Sequence, residues 1–126
     1  MGMIEFSVKL ANRPGQLATL SRDLANAGVN IEALAAFTSG PEGFVKLVVD
    51  EDISARRVLV DSGMSFEERR IISAVIHDEP GALAEMTEAL ANTGVNIEAM
   101  YLLHSGPDGL HFGVAVDDRP VTQKIA

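Results

Sequence analysis

The stretch Leu24-Ala25-Asn26-Ala27-Gly28-Val29-Asn30-Ile31-Glu32-Ala33 returns further along the chain as Leu90-Ala91-Asn92-Thr93-Gly94-Val95-Asn96-Ile97-Glu98-Ala99. The offset is 66 residues, and two flanking motifs keep it: Pro14-Gly15-Gln16-Leu17-Ala18 becomes Pro80-Gly81-Ala82-Leu83-Ala84, and Ser39-Gly40-Pro41-Glu42-Gly43 becomes Ser105-Gly106-Pro107-Asp108-Gly109. Roughly half of the positions over residues 14–50 are identical to their partners with no gap, so the chain is a tandem duplication. Two copies are too few for a solenoid, which needs three or more stacked units.

Each copy reads as the same series of elements. Residues 4–10 alternate apolar Ile4, Phe6, Val8 and Leu10 with polar Glu5, Ser7 and Lys9, the period of a half-buried strand. Their partners, residues 71–77, are apolar on nearly both faces and predict a strand covered on two sides. Asn12-Arg13-Pro14-Gly15 breaks the first strand. Leu17, Leu20 and Leu24 then fall at helical spacing, as do Leu83, Met86 and Leu90, and Gly28 and Gly94 stand where a helix end wants a left-handed residue. Residues 31–37 and 97–103 read as second strands. Residues 39–43 form a turn, residues 44–49 a third strand, residues 52–60 a short second helix and residues 64–68 a fourth strand leading into the second copy. The order is βαββαβ, an α+β ferredoxin-like plan with antiparallel strands and helices on one face. The modules fall at residues 1–69 and 70–126. After Val116 the second has room for a turn and a stub of its second helix, so it is expected to lack a complete second helix and the fourth strand. Both alternating sets of the second strands are apolar (Leu34, Ala36, Met100 and Leu102 against Ala33, Phe37, Ala99, Tyr101 and Leu103). Cover on both faces is therefore expected, between modules or between chains.

Composition narrows the function. Apolar residues make up 47% of the 126, enough for a packed core, and there is no Cys for a disulfide, a thiol nucleophile or a Cys-ligated metal. A net charge of −8 disfavours nucleic acid or an anionic membrane as partner. No apolar run reaches the length of a membrane span, and no basic-then-apolar leader opens the chain. A soluble cytoplasmic protein is expected. No Ser, His and acid grouping carries a diagnostic local sequence, and Gly40-Pro41-Glu42-Gly43 is turn chemistry, so no catalytic residue is assigned. His104 and His111 flank the second hairpin turn as potential cross-strand neighbours. A third metal ligand is not evident, and neither a metal nor a cofactor is assigned.

The strand-to-helix loops remain: Asn12, Arg13, Pro14, Gly15, Gln16 and Leu17, and Asp78, Glu79, Pro80, Gly81, Ala82 and Leu83. Backbone N–H groups at a helix start lack intrahelical acceptors and sit at the positive end of the dipole, suiting a carboxylate. Asn12 or Asp78 supplies an acceptor for an ammonium group. The plainer alternative makes Asn12 and Asp78 helix N-caps, with Pro14 and Pro80 in a first helical turn. Asn30 and Asn96, with Ile31 and Ile97 after them, either reach a ligand at a module interface or satisfy the turn out of the helix.

The ordered set, Asn/Asp-x-Pro-Gly-x-Leu-Ala, then Leu-Ala-Asn-x-Gly-Val-Asn-Ile-Glu, then the Gly-x-x-Gly hairpin, resembles the ACT family of amino-acid-binding regulatory domains, twice over. The resemblance implies modules paired side by side and an amino acid or related small carboxylate held at the pairing interface by the loop residues named above together with Asn30, Ile31, Asn96 and Ile97. It also implies a homodimer or higher homo-oligomer, and an enzyme under control, as direct partner or otherwise. A ligand-free subunit that docks on such an enzyme is the alternative. Asn12-Arg13 departs from the acidic residue more usual in the family, which Asp78 supplies, so the two loops are expected to differ.

Overall fold

The computed structural model describes residues 3–116. The backbone forms two compact units, Met3–Arg70 and a second from Ile71 onward.

The first unit runs β1 (Met3–Ala11), α1 (Gln16–Asn26), β2 (Ile31–Ser39), β3 (Glu42–Val49), α2 (Asp52–Asp61) and the opening half of β4 (Ser65–Ile76). Its strands lie in the order β2-β3-β1-β4, and β3 is antiparallel to both neighbours. The alternation in β1 puts Phe6, Val8 and Leu10 beside Val45, Leu47 and Val49 of β3, and Leu20 and Leu24 of α1 with Ala55 and Leu59 of α2 close the core over them. α1 ends as its sequence requires. Gly28 takes a φ of 77°, which costs glycine little, and Val29 N–H then reaches back to Leu24 O at 3.0 Å. Glu51 caps α2 by accepting from Ser54 N at 2.7 Å. Arg56 ties that helix to β4 through both Glu68 oxygens, at 2.5 and 2.8 Å.

The second unit takes the rest of β4, then α3 (Ala82–Asn92), β5 (Ile97–Gly106) and β6 (Gly109–Val116), with strand order β4-β6-β5. These repeat the first four elements of the module. The stub of a second helix and the missing fourth strand expected from the sequence fall on residues 117–126, outside the described residues. What had read as two short strands, residues 64–68 and 71–77, is the single strand β4.

Pairing in the second unit is not a copy of the first. Phe6 faces Leu47, whereas Ile72, at the repeat position of Phe6, faces Val114 instead of Gly113 at the repeat position of Leu47. β6 has moved by one residue, and side-chain parity explains why. The large apolar residues of β6 are Leu110, Phe112 and Val114. The unshifted register would turn His111, Gly113 and Ala115 toward the helix in their place. The slip is absorbed in two places. Pairing shifts between Leu102 and His104, leaving Leu103 as the extra residue of a bulge. The turn moves too: Ser39 pairs with Glu42 around Gly40-Pro41, but Gly106 pairs with Gly109 around Pro107-Asp108.

Among the described residues, the second strands are not covered on both faces. β2 and β5 are edge strands, each with one sheet neighbour, and Leu34, Phe37 and Leu102 remain 43%, 53% and 54% exposed. Nor do the described residues cover β4 on two sides along its second half: Ile71 is buried, but Ile72 and Val75 are exposed.

Candidate functional site

Neither strand-to-helix loop uses a side-chain cap. The residues at the cap positions are Gly15 and Gly81, with φ of 88° and 92°, and no side chain bonds to either helix start. The left-handed glycine brings the chain into the helix by itself, which removes the N-cap role for Asn12 and Asp78 and leaves Pro14 and Pro80 ahead of the first turn. The first regular helical bonds are Thr19 N to Gly15 O and Glu85 N to Gly81 O, each 2.9 Å. Gln16 N and Ala82 N bend back to Arg13 O and Glu79 O. The N–H groups of Gly15, Leu17 and Ala18, and of Gly81, Leu83 and Ala84, find no acceptor among the described residues. Each loop thus presents three backbone donors at the positive end of a helix.

The loops differ in the one polar side chain beside those donors. Asn12 Nδ2 donates to Gly40 O at 2.9 Å, and its backbone N–H donates to Pro41 O at 3.0 Å, so the first loop is fastened to the β2–β3 turn. A carboxylate has no proton to donate, and Asp78 makes no such tie. It stands exposed, with no hydrogen-bond partner among the described residues. Arg13 and Glu79 are exposed as well, and Gln16, Leu17 and Ala82 are half-buried, with Leu83 exposed. Asp78 beside three unengaged N–H groups offers an acceptor for an ammonium and donors for a carboxylate.

Asn30 and Asn96 lie elsewhere. Asn30 N–H donates to Asp50 Oδ1 at 3.0 Å, Asp50 N–H returns a bond to Asn30 O, and Asn30 Nδ2 donates to Glu32 Oε2 at 3.0 Å. Asn96 Nδ2 repeats the last bond with Glu98 Oε2 at 3.1 Å. Both asparagines serve the turn leading out of their helix. Ile31 and Ile97, half-buried, open the following strands. The register fixes the separation. Ile31 and Ile4 both pair with Val49, at one end of the sheet, whereas Ala11, just before Asn12, pairs with Glu42 at the other. Seven residues of strand span roughly 23 Å. One module therefore cannot bring its own Asn12 loop and its own Asn30 to one small ligand; a site using both sets must draw them from two modules.

His104 and His111 are direct cross-strand partners, as their flanking of the turn suggested. Their rings stack at 4.1 Å, nearly parallel. His111 Nε2 lies 2.9 Å from Asp108 Oδ1, and that contact holds the Asp108 carboxyl below its usual range. Stacked rings do not converge their nitrogens on one point, and among the described residues no group of three His or acidic residues could hold an ion. No described helix is long and apolar enough to cross a membrane.

Known proteins place this architecture. The family model for the ACT domain matches residues 4–61 and 70–126. A structure from Bacteroides thetaiotaomicron superposes with a TM-score of 0.82 at 24% identity, covering 94% of this chain and 81% of that one. The ligand-free regulatory subunit of aspartate kinase from Thermus thermophilus gives 0.66 at 21% identity, over 91% of this chain and 82% of that one. Aspartate kinase from Synechocystis gives 0.62 at 19% identity; there the match covers 90% of this chain but 22% of the larger enzyme. At these identities the likeness is one of fold. No curated protein matches the chain in sequence.

Proposed function

The chain belongs to the ACT domain family, and from that premise we propose that it is a regulatory protein, not an enzyme, that binds an amino acid or related small carboxylate where one module meets another. One observation carries the reading: among the described residues Asp78 has no partner, and neither do the N–H groups of Gly81, Leu83 and Ala84 that follow it. An α-amino acid carries an ammonium and a carboxylate on one carbon, and this loop offers a complement to each. The Asn12 loop, its amide committed to Gly40, is the weaker of the two sites. Asn30, Ile31, Asn96 and Ile97 contribute from the opposite end of a second module. The effector acts by favouring one arrangement of modules or subunits, which requires unequal affinity for two states. The aspartate kinase regulatory subunit that shares the fold is in keeping with control of an enzyme; a homo-oligomer of this chain acting in the cytoplasm completes the proposal.

A second reading rests on the exposed Leu34, Phe37 and Leu102. Apolar edge strands suit docking on a partner enzyme without any small effector.

A thermal-shift screen of the purified protein against the twenty amino acids tests the first reading. A ligand specific to the folded state adds about 2.7 kcal/mol at a hundredfold excess over its dissociation constant. A selective rise with one or two amino acids is expected, and Asp78→Ala should abolish it without lowering the ligand-free melting point. Asn12→Ala, by contrast, should cost about 1 kcal/mol of stability through the lost bond to Gly40. If no amino acid raises the melting point, the effector reading fails, and Leu34→Asp or Met100→Asp breaking the assembly would establish docking instead.

A further inference from the structure

The Asp78 loop adjoins an apolar cleft between α3 and the sheet of the second unit. The cleft holds about 720 Å³, within the range of small-molecule pockets. Two residues join loop and cleft: His77, directly before Asp78, and Ala82, directly after Gly81, both line it. Beyond them stand Ile72, Ile76 and Met86, over the buried Leu90 and Val114. Polar side chains enter the lining at Ser73, His77 and Glu85, with Glu85 in the first turn of α3 beside the loop. Among the described residues no Lys or Arg lines the cleft. An acidic side chain would lose its hydration there and meet Glu85, with no cation in exchange.

The two loops differ in what lies behind them. At the repeat positions of the first unit, Phe6, Leu20 and Leu24 are at most 1% exposed, in a core that includes Ala55 and Leu59. Ile72, in the place of Phe6, is 38% exposed. Among the described residues, the Asn12 loop thus backs onto a filled core and the Asp78 loop onto an open one. Resting on the reading of the Asp78 loop as the amino-acid site, we propose that the effector carries a large apolar side chain and lodges it in this cleft. Its ammonium and carboxylate stay at the loop. Ala82, Met86, Ala89 and Leu90 follow one another at helical spacing along a single face of α3. A side chain leaving the loop along that face meets Met86 first, then Ala89 and Leu90. A side chain as short as that of serine stops before Met86 and leaves the cleft unfilled.

Titration calorimetry of the full chain with norvaline, norleucine and 2-aminoheptanoate tests this. Each added methylene should tighten binding about fourfold. Ala89→Leu fills the cleft wall from an exposed helix position and should weaken norleucine about tenfold or more, with the ligand-free melting point kept. Glu88→Leu, one residue along and outside the cleft lining, should leave the affinity unchanged. Flat affinity along the series overturns the proposal, as does wild-type binding of norleucine by Ala89→Leu. Selective binding of serine, threonine, aspartate or lysine overturns it too; if Asp78→Ala abolishes that binding, the loop reading stands without the cleft. Failure of every amino acid to bind removes both.

Discussion

The two units start from one ancestral pattern and finish with different interiors. In the first, two helices close over β1 and β3, and the opposite side of β1 is polar: Glu5 is fully buried with Arg69 at 3.6 Å, and Lys46 Nζ donates to Ser7 Oγ at 2.9 Å. In the second, one described helix covers the sheet. Ile71 and Val75 replace Glu5 and Lys9 on the opposite side, and Ile71 is buried to 1%. Most of the identical residues of the repeat sit in loops and helix ends, such as Gly28 and Gly94, after which Val29 and Val95 donate equivalent back-bonds to Leu24 O and Leu90 O. The strands were free to diverge, and with them the core. Duplication preserved the joints of the module more closely than its packing.

Paired truncations in the two cores sharpen this contrast most. Phe6 is fully buried and touches Phe66 edge-on at 5.9 Å, so Phe6→Ala should cost about 3–5 kcal/mol. Ile72→Ala removes a side chain that is already partly in contact with solvent and should cost about 1 kcal/mol. Urea unfolding, with hydrogen exchange followed separately over residues 3–70 and 71–116, checks both. Equal costs would mean that Ile72 is enclosed in solution as tightly as Phe6.

The hairpin turns give a second pair, of smaller effect. Gly109 has a φ of 125°, and a Cβ there would lie 2.2 Å from Ile76 O. Gly40 has a φ of 62° with open space around its missing Cβ. Gly109→Ala should therefore cost roughly 2–3 kcal/mol, through strain and a displaced backbone, and Gly40→Ala about 1 kcal/mol. Thermal melts rank them; an equal pair would show that the two turns share one geometry after all, and that the slip of β6 is not held by Gly109.

That slip marks the limit of what was legible beforehand. Periodicity was enough for the order of elements, because Leu17, Leu20 and Leu24 or the alternation from Ile4 to Leu10 has one reading each. Gapless identity across the turns does not carry the pairing: the parity of Leu110, Phe112 and Val114, present in the sequence all along, outweighs the turn motif. The loops were legible as to place but not as to wiring. Nothing local foretells that Asn12 reaches Gly40, 28 residues on, because only the folded sheet brings that turn beside the loop. The distance between Asn12 and Asn30 was likewise hidden, since it depends on strand register, which a list of motifs does not contain.

Acid should separate the units more gently. In the first, hydrogen bonds from Arg56 hold the carboxyls of Glu68 and Asp52 below their ordinary range, and Ser54 does the same for Glu51. A folded-state pKa lowered below its unfolded value gives stability that is fully present above the unfolded value, 4.5 for Glu68, and is lost as pH falls through the lower folded value. Glu68→Gln removes that contribution at neutral pH. The Arg56–Glu68 pair is about a third exposed at each end, so the loss should be under about 1 kcal/mol. The gap in melting point between wild type and Glu68→Gln should hold constant above the unfolded value and close as pH falls through the lower folded value, where the wild-type carboxyl itself takes up a proton. In the second unit Asp108 is also lowered, by His111, but it is largely solvated and its replacement by Asn should move the melting curve less. A gap for Glu68→Gln that stayed open at low pH would mean that the tie between α2 and β4 does not rest on the charge of Glu68 but on packing of Arg56, whose guanidinium lies 5.8 Å from the Phe6 ring centre.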